Sequence, residues 1–341
     1  MDTLTKPISA PRRRTTADTV YPILLLVSVT HLLNDMMQSV IPAVYPLLKA
    51  KFGFSFAQIG LITLVFQMTS SILQPFVGRY ADRHPRPYSL AAGMCFTLAG
   101  LFALALAPGF APILLAVALI GWGSSIFHPE SSRVAQLASG GRKGLAQSIF
   151  QVGGNAGSAF GPLLAALVVI PYGQTSIMWF APAALLAIGI LLRIGNWYKR
   201  QLNAATAAPV TATAAAAELP RRKIRRALLI LTVLVFSKYF YIACMTNYFT
   251  FFLMDKFAFS VQDAQYSLFA FLAASAAGTV IGGPLGDRIG RKYVIWGSIL
   301  GAAPFALMLP YAGSGSAVAL AILVGLIISS AFSAIVVYAT D

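Results

Sequence analysis

Ten apolar runs of 18 residues or more follow one another along this chain, at about 20–48, 56–80, 88–107, 111–135, 145–170, 174–196, 227–254, 262–285, 292–311 and 316–339. Each is long enough to cross a bilayer core of about 30 Å. A backbone in hydrocarbon has no water to bond to, so only helices and closed barrels span it. Barrel strands alternate polar and apolar residues with a period of two, and these runs do not. The expected class is therefore an all-α polytopic membrane protein. Composition agrees: 58% of residues are hydrophobic and 10% charged, against about 25% charged in soluble domains.

The net charge of +15 invites a nucleic-acid reading, but its distribution points to a lipid bilayer. Of 25 Lys and Arg, 21 fall before the first run, in alternate loops or at their helix ends, within stretches such as Arg12–Arg14, Arg79–Arg86, Arg133–Lys143, Arg193–Arg226 and Arg288–Lys292. The opposite loops hold three, Lys49, Lys51 and Lys256, and Lys238 lies inside a run. Basic residues stay cytoplasmic, so the N-terminus is expected in the cytoplasm of a bacterial inner-membrane, multi-pass protein. No cleaved signal peptide is expected, because the stretch after Arg12–Arg14 is long and interrupted by polar residues. Cys95 and Cys244 lie in apolar runs and read as small core residues without a disulfide framework. The expected organisation is a basic tail (1–19), a six-helix bundle (20–198), a cytoplasmic Ala/Thr/Pro-rich linker ending in RRKIRR (199–226), and a four-helix bundle (227–341).

The chain is internally duplicated. GRYADRHPRP (78–87) and GPLGDRIGRK (283–292) share Gly78/Gly283, Asp82/Asp287, Arg83/Arg288 and Arg86/Arg291, offset by 205 residues. KFGFS (51–55) and KFAFS (256–260) match at the same offset without a gap. Each basic segment reads as a tight turn at a membrane surface, with Gly permitting the turn and Asp capping a helix N-terminus.

These two segments resemble the signature loops of the major facilitator superfamily, G-x-x-x-D-R-x-G-R-K. The second copy matches at every fixed position; the first has Pro85 for the late Gly and Pro87 for the last base. The resemblance implies two helical bundles that rock about a central site. It also implies six plus six helices, so two more are expected beyond Asp341. In that superfamily the first loop braces against the eleventh helix and the second near the fifth.

Polar residues inside the runs are costly and mark cavities. His31, Asn34, Asp35 and Gln38 recur at i, i+3, i+4 and i+7 on one helical face, with Asp35 near mid-bilayer. They read as a proton carrier beside a cavity, or as a structural His31–Asp35 pair. Gln67, Ser70, Ser71 and Gln74 repeat that spacing, as cavity lining or interhelical bonding. His128, Glu130 and Arg133 crowd around Pro129; they read as proton relay, gate or plain ion bridge. Gln147, Gln151 and Asn155 share a face, and Gly153, Gly154, Gly157 and Gly161 suit close packing. Gly157-x-x-x-Gly161-Pro162 resembles the fifth-helix motif of the superfamily's proton-coupled exporters. Lys238, with Tyr241 three residues on, is placed opposite Asp35, to bind an anion, neutralise Asp35 or snorkel to the surface.

The site expectations follow. Proton coupling falls to Asp35, His31, Glu130 and His128. The substrate cavity takes Asn34, Gln38, Gln67, Gln151, Asn155, Lys238 and Tyr241. The conformational gate comprises Gly78, Asp82, Arg83, Arg133, Gly157, Gly161, Pro162, Gly283, Asp287, Arg288 and Arg291. No P-loop supports ATP-driven pumping, no filter ring supports a channel, and no two-His helical spacing supports a metal enzyme; no cofactor or metal is expected. HLLNDMMQS (31–39), FHPESSRVA (127–135), GLAQSIFQVGGNAGS (144–158), FSKYFYIA (236–243) and GPLGDRIGRKYVIWGSILG (283–301) carry the resemblance further, to the superfamily's phosphonate-antibiotic exporters. It implies proton-coupled efflux of a small anionic drug by a monomer, the alternative being a metabolite symporter or facilitator.

Overall fold

The computed structural model of this protein describes residues 18–206 and 221–340, apart from certain side chains within the helices. The described chain is helical throughout. Nine helices are long and apolar enough to cross a membrane among the described residues. We number the long helices α1 (Tyr21–Phe52), α2 (Phe56–Arg83), α3 (Ser89–Leu106), α4 (Phe110–Leu137), α5 (Gly144–Tyr172) and α6 (Gln174–Ala204), then α7 (Arg221–Phe257), α8 (Val261–Ile289), α9 (Arg291–Met308) and α10 (Ser314–Thr340). Helix continues to Thr206 and resumes at Arg221, so both ends of the expected linker (199–226) are helical; its middle, 207–220, lies outside the described residues. The basic tail before Asp18 lies outside the described residues.

The helices are not uniform rods, and proline marks the departures. α1 carries Pro42 and breaks at Val44. A π-turn at Met68–Ile72 precedes Pro75 in α2, and another at Ala165–Val169 follows Pro162 in α5. Proline withdraws an N–H and crowds the preceding turn, which such widened turns absorb.

The 205-residue repeat is visible as conformation. Gly53 and Ala258 both take left-handed backbone, with φ of 70° and 54°. Two residues later Ser55 and Ser260 cap α2 and α8 by accepting from the N–H of Gln58 and Asp263. The signature segments differ from the expected turn. Gly78 and Asp82 lie within helix at the end of α2, Gly283 and Asp287 lie within α8, and the bend itself falls at Gly290, φ 98°. Asp82 therefore caps nothing, because the helix carries on through it to Arg83.

Apolar packing fills each half. Val27, Met37 and Ile41 of α1 meet Met94 and Leu101 of α3, Ile120 and Phe127 of α4, and Leu191 of α6. Met245, Phe249 and Leu253 of α7 pack with Leu268 and Phe271 of α8 and Ala321 of α10. Ala159 of α5 joins that second group, which ties the halves together along α5 and α8. Large apolar side chains such as Phe76, Leu115, Phe240 and Leu307 face outward, as expected where the surrounding medium is lipid. Cys95 and Cys244 are exposed as well, which corrects the core reading.

Candidate functional site

The site is assembled by α1, α4 and α5. His31 is buried, with 1% of its surface exposed. Its Nδ1 lies 2.8 Å from the carbonyl oxygen of Phe150, and its ring stacks on that of Phe150 with centroids 3.9 Å apart. A carbonyl only accepts, so Nδ1 carries a hydrogen. Nε2 then faces Asp35 Oδ2 at 3.3 Å. A hydrogen bond can bridge that gap when either the imidazole or the carboxyl group carries the proton.

His128 repeats the arrangement from α4. Its Nδ1 is 3.1 Å from the Ser124 carbonyl oxygen, and its Nε2 is 3.5 Å from Asp35 Oδ1. The two imidazoles meet edge to face, 5.2 Å between centroids. Asn34 Nδ2 donates to Asp35 Oδ1 at 3.0 Å. One carboxylate is thus held between two histidines whose outer nitrogens are anchored to backbone, an arrangement able to hold more than one proton count.

Glycine brings α5 this close. A Cβ on Gly154 would lie 2.5 Å from His31 Nε2 and 2.9 Å from Asp35 Oδ2. Gly153, Gly157 and Gly161 give α1 the same access; Cβ atoms there would lie 2.8 Å from the Ser28 carbonyl carbon, 2.9 Å from that of Leu32 and 2.7 Å from Ser39 Cβ.

Asp35 also lines a cavity of about 540 Å³ between the halves. Gln38, Gln67, Gln151, Asn155 and Lys238 line it too, and Gln151 Nε2 donates to Asn155 Oδ1 at 3.0 Å. Asn34 and Tyr241 do not: Asn34 is fully buried beside Asp35, and Tyr241 packs into the apolar clusters of the second half. Tyr239 lines the cavity where Tyr241 was expected, two residues earlier on the helix. Tyr45, Thr63, Asn247 and Ser275 also line it and were missed, being single hydroxyls and amides within apolar runs.

Hydrogen bonds draw the halves together at the end of the cavity away from the signature segments. Tyr45 Oη lies 2.8 Å from Thr63 Oγ1, which donates to Asn247 Oδ1 at 2.9 Å. Gln265 Nε2 donates to the Ala43 carbonyl at 2.7 Å, and Gln262 Nε2 to that of Ala166 at 3.2 Å. The bonds of Thr63, Gln265 and Gln262 to Asn247, Ala43 and Ala166 cross from one half to the other, and Tyr45 braces Thr63 within the first half.

At the signature end stands a separate charged cluster. Arg133 bonds the Asp82 carboxylate and donates to the Ala81 carbonyl at 2.7 Å. Its Nη1 is 3.2 Å from Oε1 of Glu130, which is 1% exposed, and Ser89 Oγ donates to Glu130 Oε2 at 3.2 Å. Gly78 packs on Pro129, a Cβ there falling 3.6 Å from the ring. Glu130 is therefore joined to Arg133 and Asp82, apart from the His31–Asp35–His128 group. Arg83 and Arg288 are exposed. Gly283, Asp287 and Arg291 are described by their backbone alone. Gly157 and Gly161 stand on α5 against Leu32 and Ser39 of α1, and Pro162 follows them on α5.

A family profile described as Major Facilitator Superfamily matches residues 27–341. The chain belongs to the major facilitator superfamily. It is 57% identical over 337 residues to the fosmidomycin resistance protein of Escherichia coli (strain K12), covering 98% of this chain and 82% of that relative. It is 43% identical over 339 residues to YfnC, an uncharacterized MFS-type transporter of Bacillus subtilis (strain 168), covering 98% and 83%. Among solved structures, the fold resembles a bacterial homologue of the human lysosomal transporter Spinster in an inward-facing, occupied conformation, with TM-score 0.73 and 16% identity over 94% of this chain and 74% of that one. It resembles a D-xylose-proton symporter with TM-score 0.70 and 15% identity, over 93% and 82%. This superfamily member is thus a multi-pass membrane transporter of small molecules.

Proposed function

We propose that this transporter exports a small anionic drug of the phosphonate class, in exchange for protons, from the cytoplasm of a bacterial cell across its inner membrane. Asp35, held by His31 and His128, is the proton carrier. Lys238 offers the cargo a cation. The observation that carries this reading is that Asp35 and Lys238 line one cavity between the halves, so a proton arriving at one changes the field felt by an anion at the other. The name of the Escherichia coli relative, a fosmidomycin resistance protein, supports the cargo class.

With the N-terminus in the cytoplasm, as the basic loops favour, the closed end of the cavity is periplasmic. The conformation then faces inward, ready to load. The gate is the Arg133–Asp82–Glu130 cluster, which holds α2 and α4 together at the cytoplasmic end while the halves rock. The two bundles divide at the connection between α6 and α7, and one chain acts alone.

The test uses purified full-length chain in liposomes with an imposed pH gradient and a radiolabelled phosphonate. The gradient drives uphill phosphonate movement through the unaltered chain, opposite in direction to the protons. Asp35→Asn loses gradient-driven movement and keeps substrate counterflow. Movement with the protons would establish the symporter instead, and coupling that survives Asp35→Asn would remove Asp35 from the mechanism.

A further inference from the structure

We propose that His31, Asp35 and His128 form a binding site for one divalent transition-metal ion, zinc above all, on the wall of the central cavity. The three residues come from two helices, each offers one ligand atom, and these atoms lie within 4.8 Å of one another. Four-coordinate zinc holds nitrogen and carboxylate oxygen at about 2.0–2.2 Å, which sets its ligand atoms about 3.3 Å apart. The two His–Asp separations are 3.3 and 3.5 Å. These separations run to different oxygens, Oδ2 for His31 and Oδ1 for His128, so one carboxylate oxygen serves both histidines once the three ligand atoms, which lie within 4.8 Å of one another, draw in to the edges of the tetrahedron.

The outer contacts fit as well. A histidine that ligates metal through Nε2 almost always gives its Nδ1 hydrogen to a backbone carbonyl or a carboxylate, which fixes ring and tautomer. Both histidines do so here, to Phe150 and Ser124. The carboxylate is oriented by Asn34 Nδ2, and Asn34 Oδ1 is buried with no hydrogen-bond partner. Three protein donors leave one coordination position, and Asp35 borders the cavity, so water or an oxygen of an anionic cargo completes the set. Two imidazoles and one carboxylate suit zinc, cobalt or nickel; magnesium and calcium prefer a shell of oxygens.

Bound metal occupies the nitrogens and oxygens between which the proton is placed, so zinc blocks proton-driven exchange. That consequence rests on the proposed transport cycle; the binding itself does not.

The test titrates cobalt chloride, and zinc chloride in competition, into the purified full chain carrying no histidine tag. The chain has three histidines, and the third, His84, is exposed and outside the cluster, which makes the assignment clean. The expected result is one cobalt per chain with the intense visible bands of a tetrahedral nitrogen–oxygen site, bleached by zinc. His128→Gln and Asp35→Asn each weaken binding tenfold or more, and His84→Gln leaves it unchanged. Absence of saturable binding, a weak octahedral spectrum in the unaltered chain, or binding that survives both substitutions overturns the proposal. The spectrum of the unaltered chain decides even where a variant fails to fold. Exchange measured in metal-free liposomes separates the two readings: proton coupling without zinc binding defeats the metal site alone, and zinc binding without coupling defeats the transport mechanism alone.

Discussion

Gly154→Ala is the most demanding probe of the site, because one methyl group enters where α5 meets the His31–Asp35 pair. The new Cβ falls 2.5 Å from His31 Nε2 and 2.9 Å from Asp35 Oδ2. Ordinary contacts are about 3.5–4.0 Å, so the overlap is about 1 Å. The ring has no easy escape. It is bonded to the Phe150 carbonyl at 2.8 Å and stacked on the Phe150 ring, and Gly153 and Gly157 hold the flanking backbones of α1 and α5 together. Overpacking of this kind costs about 1–3 kcal/mol, while replacing a helical glycine by alanine returns about 1 kcal/mol. The net loss of stability is therefore small, at most about 2 kcal/mol. Separation of Nε2 from the carboxylate is the larger effect. Losing a hydrogen bond to a charged group is worth about 1.5–3 kcal/mol, which is tenfold or more in an equilibrium constant. The variant should purify as folded protein, unfold slightly earlier in detergent, and lose gradient-driven exchange by tenfold or more. Gly189→Ala is the control, since a Cβ there meets nothing within 4 Å; it should match or exceed the parent in thermal stability. If Gly154→Ala exchanged at the parental rate, the claim that this contact positions the imidazole would be wrong.

Arg133→Ala leaves Glu130, 1% exposed, without its counter-charge, and should destabilise the chain by about 3 kcal/mol in detergent thermal unfolding. Adding Glu130→Gln should recover most of that loss, because a neutral amide needs no partner charge; no recovery would mean that Arg133 acts mainly through Asp82 and the Ala81 carbonyl. Thr63→Val removes the hydroxyl between Tyr45 and Asn247. At about 1 kcal/mol for the one lost bond that joins the halves, the closed end should open roughly fivefold more often, read from spin-label distances across that end. An unchanged distance distribution would show that Gln265 and Gln262 close the cavity unaided.

What the chain displays locally was readable in advance. The i, i+4 spacing put His31 beside Asp35, the i, i+3 spacing put Glu130 beside Arg133, and the glycines at 153, 157 and 161 announced a close helix contact. None of these shows which helix will be the partner. His128 reaches Asp35 from a helix more than 90 residues away, and nothing in the spacing of either segment records it. The polar face of α1 was one stripe in sequence but divides in space: Gln38 and Asp35 reach the cavity while Asn34 turns into the bundle. The cysteines show the converse limit. Lipid is as apolar as a core, so hydrophobicity along α3 or α7 cannot tell an inward face from an outward one.

Gly53 and Ala258 occupy the same corner in the two repeats. A left-handed residue suits glycine, whereas alanine gives up about 1–2 kcal/mol to adopt it. In the first half the residue itself selects the bend. In the second, the bend persists against the residue's preference, imposed by the Ser260 cap beyond it and by Phe257 and Phe259, whose rings adjoin on either side. One bend thus forms with and without the amino acid that makes it effortless, so the corner at 258 answers to its surroundings while the corner at 53 answers to itself.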